Sequence, residues 1–198
     1  MWYWIFRALT IFLLRVFFEL KVEGLKNLPT KTNFIVVANH TSYLDPFIVG
    51  AVFPAKIYWI ALRDLYKVPF INWFLCKIES LPAGNATKKL LFLLLKNRNV
   101  GLFPEGTRTH DGNLRQFRTG AALLSVRTGR PIVPCAILGA YEAYPVHARF
   151  PKLFHPITVK IGRPRYLLKE FNETIDDIVL QEGTLKIRNA IQEMLHAG

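Results

Sequence analysis

The chain has 198 residues, enough for one domain with a sizeable core, and with 51% hydrophobic and 13% aromatic residues it is not a disordered chain. Its formal net charge of +12 directs attention to anionic partners: nucleic acid, anionic lipid headgroups, or phosphorylated and acidic ligands. No zinc-finger spacing and no RNP1-like run supports the first of these, so no nucleic-acid partner is expected.

The chain opens on an apolar run, "WYWIFRALTIFLLRVFF" (2–18). A secretory signal places its positive charge ahead of the apolar stretch and ends at a small-residue cleavage site. Here Trp2, Tyr3 and Trp4 come first and the run passes straight into "ELKVEG", so cleavage is not expected. A membrane-spanning helix needs about 20 apolar residues with few charges. This run is shorter and holds Arg7 and Arg15, which a helix places about 80° apart on one broad side. Tryptophan, tyrosine and arginine at the edges of an apolar helix suit a membrane interface. Residues 1–20 are therefore read as an interfacial helix, with a helix packed on the core and a single span as open alternatives. Residues 21–198 form the domain that follows.

The remainder alternates strand-like and helix-like segments. "NFIVVA" (33–38), "KIYWIAL" (56–62), "VGLF" (100–103), "PIVPCAIL" (131–138) and "ITVKIG" (157–162) are short, β-branched or aromatic runs and are predicted strands. Predicted helices cover 46–53, which starts on Pro46 after Asp45, then 86–97, 117–129 and 174–196, with Gly183 as a kink point. This alternation predicts a single α/β domain with a mostly parallel or mixed central sheet flanked by helices. The two cysteines, Cys76 and Cys135, lie in apolar segments without a CxxC or a ligand cluster. Both read as reduced core residues, and no metal site is expected.

Two segments carry chemistry. "NHTSYLD" (39–45) follows a predicted strand, where open α/β sheets place their sites. On one continuous helix His40 and Asp45 would stand about 140° apart; in a loop entering a helix they can meet. Asp45 then has two compatible roles: N-cap of the next helix, or acceptor for one ring nitrogen of His40, leaving the other free to take a proton. The second segment, "VGLFPEGTRTHDGNLRQFRTG" (100–120), breaks at Pro104 and offers Glu105, Gly106, Thr107 and Arg108, then Arg115 and Arg118. A glycine, a hydroxyl and a guanidinium in sequence form a phosphate grip, or else a turn with a solvated arginine. His110 and Asp111 read as turn residues beside Gly112.

Together these segments resemble the 1-acyl-sn-glycerol-3-phosphate acyltransferase family of glycerolipid acyltransferases. Its N-H-x4-D block is met by Asn39, His40 and Asp45, and its F-P-E-G-T-R block by Phe103 to Arg108. The D-G turn and F-K-x-G continuation are similar to Asp111-Gly112 and Phe117-Arg118-Thr119-Gly120, and the V-P pair to Val133-Pro134. The second block departs from the pattern: "KIESLPAGNATKK" (77–89) has no arginine, only Lys88 and Lys89.

The resemblance implies an acyltransferase domain over 21–198 that moves an acyl group from acyl carrier protein or coenzyme A to the sn-2 hydroxyl of 1-acyl-sn-glycerol-3-phosphate, giving phosphatidic acid. It implies His40 and Asp45 as catalytic base and orienting carboxylate. Glu105, Gly106, Thr107, Arg108 and Arg118 become substrate-binding residues, with Arg108 on the phosphate. The acyl thioester is a co-substrate, and no cofactor or metal is implied. The absence of a G-x-S-x-G elbow favours direct attack by the acceptor, while Thr41 and Ser42 leave an acyl-enzyme open. Partners expected with this reading are the two substrates, acyl carrier protein as one of two carriers, and an anionic membrane surface on the cytoplasmic side. Another lysophospholipid, a lyso-aminolipid or glycerol-3-phosphate is the alternative acceptor. A non-catalytic membrane lipid-binding protein is the alternative class.

Overall fold

The structure, a computed structural model, describes residues 2–84, 86–167 and 176–197. Among the described residues seven strands form one mixed sheet: β1 (Lys21–Glu23), β2 (Ile35–Ala38), β3 (Ile57–Ala61), β4 (Leu81–Pro82), β5 (Asn99–Leu102), β6 (Ile132–Leu138) and β7 (Thr158–Ile161). Their order across the sheet is β1-β7-β6-β2-β5-β3-β4. The five strands from β6 to β4 run parallel, β7 is antiparallel to β6, and β1 pairs parallel with β7. The helices are α1 (Trp2–Phe18), α2 (Asp45–Val52), α3 (Pro69–Lys77), α4 (Ala86–Leu95), α5 (Gly120–Thr128), α6 (Ala140–Ala143) and α7 (Asp177–His196).

The central strand β2 shows why both faces are covered. Its side chains alternate: Val36 and Ala38 enter a core with α1 and α2, whereas Ile35 and Val37 enter a second core with α4, α5 and α7. A strand buried on both faces reads as a continuous apolar run, as "FIVVA" does. β2 lies between β6 and β5, so the loops leaving β2 and β5 are neighbours at the carboxyl edge of the sheet. That edge is where the two sequence blocks fall.

α7 runs unbroken through Gly183, contrary to the expected kink. The glycine is buried and makes room for Leu167, whose Cδ1 would lie 2.9 Å from an added Cβ. The first two residues of the predicted last helix, 174 and 175, lie outside the described residues. Cys76 also departs from expectation. It is exposed, because α3 buries only Leu75. Cys135 does sit in the core, where burial pushes its thiol up to about 12.

No helix among the described residues is long and apolar enough to cross a membrane. α1 instead docks along one face. Tyr3, Leu14 and Phe18 are buried, the Tyr3 hydroxyl donates to the Gly50 carbonyl (3.2 Å), and Arg7 Nε donates to the Phe53 carbonyl at the end of α2 (2.9 Å). Trp2, Trp4, Ile5, Leu9, Phe12 and Val16 of the same helix stay exposed.

Candidate active site

The site begins where β2 ends. Asn39 extends the strand's pairing with its side chain: Nδ2 donates to the Ile137 carbonyl (3.0 Å) and Oδ1 accepts from the Ile137 amide (2.8 Å). This lets the main chain turn away from the sheet without leaving β6 unpaired at Ile137. His40 follows, its Nδ1 2.9 Å from Asp45 Oδ2, with the histidine side chain 17% exposed and the aspartate side chain 0%. The same Asp45 oxygen accepts from the amides of Thr41 (2.6 Å) and Ser42 (2.7 Å). Amide N–H groups only donate, so this oxygen is an acceptor. The network therefore assigns the proton to Nδ1 and leaves the lone pair on Nε2.

Asp45 does not cap α2 as the sequence suggested. It is the first helical residue, and its side chain reaches back to the loop ahead of the helix. Loop geometry near the helix start falls to Ser42, whose hydroxyl accepts from the Leu44 amide (3.1 Å) and donates to the Tyr144 carbonyl (2.7 Å). The His40 ring lies flat on Phe103, centroids 4.2 Å apart, and Phe103 on Trp59 at 5.1 Å. Gly101 makes this stack fit: a Cβ there would come within 2.4 Å of the Trp59 ring.

The loop after β5 supplies the cationic side. Glu105, expected in the acceptor-binding group, is instead buried at 6% exposure with both oxygens on main-chain amides. Oε1 accepts from His40 (2.7 Å) and Oε2 from Arg115 (3.0 Å), so this carboxylate ties the His40 turn to the arginine loop. Burial raises its pKa, opposed by the hydrogen bonds from the Arg115 and His40 amides. The Thr109 amide donates to the His40 carbonyl (3.0 Å), a second tie between the loops.

Gly106 has a φ of 78°, and an added Cβ would lie 2.8 Å from Arg118 Cζ, so the Arg118 guanidinium rests over it. The Gly106 amide donates to the Phe103 carbonyl (3.1 Å) and is therefore engaged in the turn rather than available to a ligand. Arg115 Nη1 donates to Thr107 Oγ1 (2.8 Å). Arg108 stacks on Tyr43, with Cζ 3.6 Å from the ring centroid, and its guanidinium makes no hydrogen bond or ion pair among the described residues. Asp111 closes the turn as expected. Hydrogen bonds from the Thr109 hydroxyl and from Asn113 hold its carboxyl down at about 2.

Three features escaped sequence reading. Tyr43 under Arg108 and the Phe103–Trp59 stack under His40 are contacts between distant segments. The third concerns the block without an arginine. Arg63, after β3, donates to the Ala83 carbonyl (3.3 Å) and lies against Gly84, while Lys89 Nζ donates to the Pro82 carbonyl (3.2 Å). Positive charge is thus present at that loop, Lys89 from the block itself and Arg63 brought there by the fold from another part of the chain. No group of three or more His, Cys, Asp or Glu able to hold a metal occurs among the described residues.

His40, held by the buried Asp45 carboxylate, and the Arg108 guanidinium, with its donors open, thus come from neighbouring loops at the carboxyl edge of the α/β sheet. The family model described as Acyltransferase matches residues 19–138, and the chain belongs to that family. The crystal structure of the 1-acyl-sn-glycerophosphate acyltransferase PlsC from Thermotoga maritima superposes with a TM-score of 0.79 at 27% identity. It covers 97% of this chain, which in turn covers 79% of that one. The 1-acyl-sn-glycerol-3-phosphate acyltransferase of Borreliella burgdorferi is 31% identical over 124 residues, 59% of this chain and 50% of its own length. A chloroplastic enzyme of that name from Arabidopsis thaliana is 30% identical over 138 residues, 65% and 38% respectively. The chain spans about half the length of the curated relatives it matches.

Proposed function

We propose that the chain transfers an acyl group from a thioester to the sn-2 hydroxyl of 1-acyl-sn-glycerol-3-phosphate, producing phosphatidic acid for phospholipid synthesis. The observation that carries this reading is the His40–Asp45 pair standing beside Arg108, whose guanidinium engages no hydrogen-bond or ion-pair partner among the described residues. A free hydroxyl is a poor nucleophile near neutral pH. His40 Nε2 takes the hydroxyl proton as the oxygen attacks the thioester carbonyl carbon, and Asp45 stabilises the imidazolium that results. The tetrahedral intermediate then collapses, the carbon–sulfur bond breaks, and the departing thiolate takes the proton back from His40. Ester and free thiol are the products. No step requires a metal or a cofactor. Arg108 holds the acceptor phosphate through parallel N–H donors, and Arg115 and Arg118 extend the positive field.

The donor is acyl carrier protein or coenzyme A; both are anionic and suit a chain of net charge +12. The lipid acceptor is met at a membrane. The exposed apolar face of α1 lies in the interface of the cytoplasmic leaflet, joined by Phe150, Leu153 and Phe154 with Arg149 and Lys152 among them. Phe154 is attached to the end of α1, its amide donating to the Phe17 carbonyl (2.6 Å).

One observation favours a second acceptor. The charge at the second block comes from Arg63 and Lys89 rather than from an arginine of the block itself, which suits a lysophospholipid with a different headgroup. Purified protein in mixed micelles, given lysophosphatidic acid, other lysophospholipids or glycerol-3-phosphate with each thioester donor, decides between them. Fastest turnover of lysophosphatidic acid supports the first reading. Preference for another acceptor replaces it with the second.

A further inference from the structure

The Arg108 guanidinium is held in an unusual way for a residue beside a catalytic base. Its main chain is fixed: the amide of the next residue, Thr109, donates to the His40 carbonyl at 3.0 Å. Its side chain is fixed only by the face of Tyr43, 3.6 Å from Cζ to the ring centroid, and by no hydrogen bond or ion pair among the described residues. Tyr43 belongs to the same seven-residue turn as His40 and Asp45, three residues after the base. Its ring is braced in turn by Tyr144 at 5.3 Å, and the Tyr144 carbonyl is pinned by the Ser42 hydroxyl at 2.7 Å. The turn that presents the base therefore also presents the surface on which the guanidinium lies.

The physical consequence depends on what an aromatic face takes from an arginine. A carboxylate partner would occupy two of the five N–H donors and neutralise the charge. A ring attracts the cation through its π face and leaves the donors, which lie in the guanidinium plane, pointing outward. We propose that Tyr43 is a positioning residue for acceptor recognition: its ring sets the plane of the Arg108 guanidinium, so that the N–H fork meets the acceptor phosphate at a fixed distance from His40. This rests on the reading of Arg108 as the phosphate-binding residue. The phenolic hydroxyl plays no part in the proposal; the ring does.

The test is a double-mutant cycle on Tyr43 and Arg108, with initial rates measured in mixed micelles against lysophosphatidic acid and against the phosphate-free 1-acylglycerol. Tyr43→Leu is expected to raise the KM for lysophosphatidic acid by about threefold to tenfold while kcat changes less than about twofold, the range a cation–π contact supplies. Tyr43→Phe is expected to restore the wild-type KM. In an Arg108→Ala background Tyr43→Leu is expected to add nothing, because its effect passes through the guanidinium. Tyr43 is 41% exposed, so the leucine variant should fold, and its thermal midpoint is measured alongside. A Tyr43→Leu KM equal to wild type, with Arg108→Ala still losing discrimination, overturns the proposal and leaves the reading of Arg108 standing. Additive losses in the double variant also overturn it, by making Tyr43 a structural residue. If Arg108→Ala still discriminates between the two acceptors as wild type does, the reading of Arg108 falls and the proposal with it.

Discussion

Arg130 and Arg108 stand at opposite ends of β2, and the protein treats their guanidinium groups in opposite ways. Ahead of the strand, Arg130 donates from Nη1 to Thr32 Oγ1 (2.7 Å) and from Nη2 to Asn97 Oδ1 (3.1 Å), joining the approach to β2 to the turn after α4. Beyond the strand, Arg108 offers only its flat face to the protein and keeps its edge open. The first guanidinium is tied into the scaffold and the second keeps its donors open. Charge and burial do not separate them, since both are cations of intermediate burial. What separates them is which part of the guanidinium the protein occupies.

The same contrast divides the carboxylates. Asp45 and Glu105 are both buried and both accept main-chain amides, but Asp45 also meets the imidazole. Asp45 therefore holds the His40 ring directly, whereas Glu105 holds the backbone that carries it. Breaking His40, Arg108, Arg130 and Glu105 one at a time should give four different signatures.

The largest effect is expected at the base. His40→Ala should lower kcat by about 10²- to 10⁴-fold with little change in thermal midpoint, measured by initial rates and calorimetry. Next comes Arg108→Ala, which removes charge-assisted hydrogen bonds to the phosphate. Its KM for lysophosphatidic acid should rise by about 10- to 100-fold, and the preference over 1-acylglycerol should shrink by the same factor. Arg130→Ala should do the reverse. It should lose about 1–2 kcal/mol of stability by denaturant unfolding and leave the KM as it was. An Arg130 variant that altered acceptor preference would erase the contrast between the two ends of β2.

The smallest effect concerns Glu105. Its folded pKa is raised above the ordinary 4.5 by burial, so the folded state holds the proton more tightly than the unfolded one. Stability from this group is therefore full below 4.5 and declines as pH rises through the raised folded value. Glu105→Gln removes the titration and should flatten that part of the thermal midpoint against pH relative to wild type. An unchanged pH slope would show that the carboxyl does not titrate as its burial implies.

The parts legible in the sequence are those whose signal is local. β2, β5 and β6 are apolar runs buried on both faces, and α5 ends at Gly129, whose φ of 66° only glycine adopts easily. His40 and Asp45 were recognisable because the pairing lies within one turn. β1 was not legible: it has three residues and exists only through pairing with β7, Lys21 against Thr158, far along the chain. β4, with two residues, is the same case. Helix α3 is not among the predicted helices, since Phe70 and Trp73 stay exposed and blur its periodicity. Glu105 illustrates the limit of motif reasoning. Its place in "FPEGTR" marks it as functional, but whether it faces a ligand or the backbone depends on where the His40 and Arg115 amides arrive.

The most direct test follows thioester consumption by the purified protein with lysophosphatidic acid as acceptor, comparing wild type with His40→Ala. Wild type should form phosphatidic acid with one equivalent of free thiol, and the alanine variant should lose at least about a hundredfold in kcat while remaining folded. An alanine variant with wild-type turnover, or a folded wild type that acylates no acceptor with either donor, would contradict the assignment of His40 as the base of an acyl-transfer site.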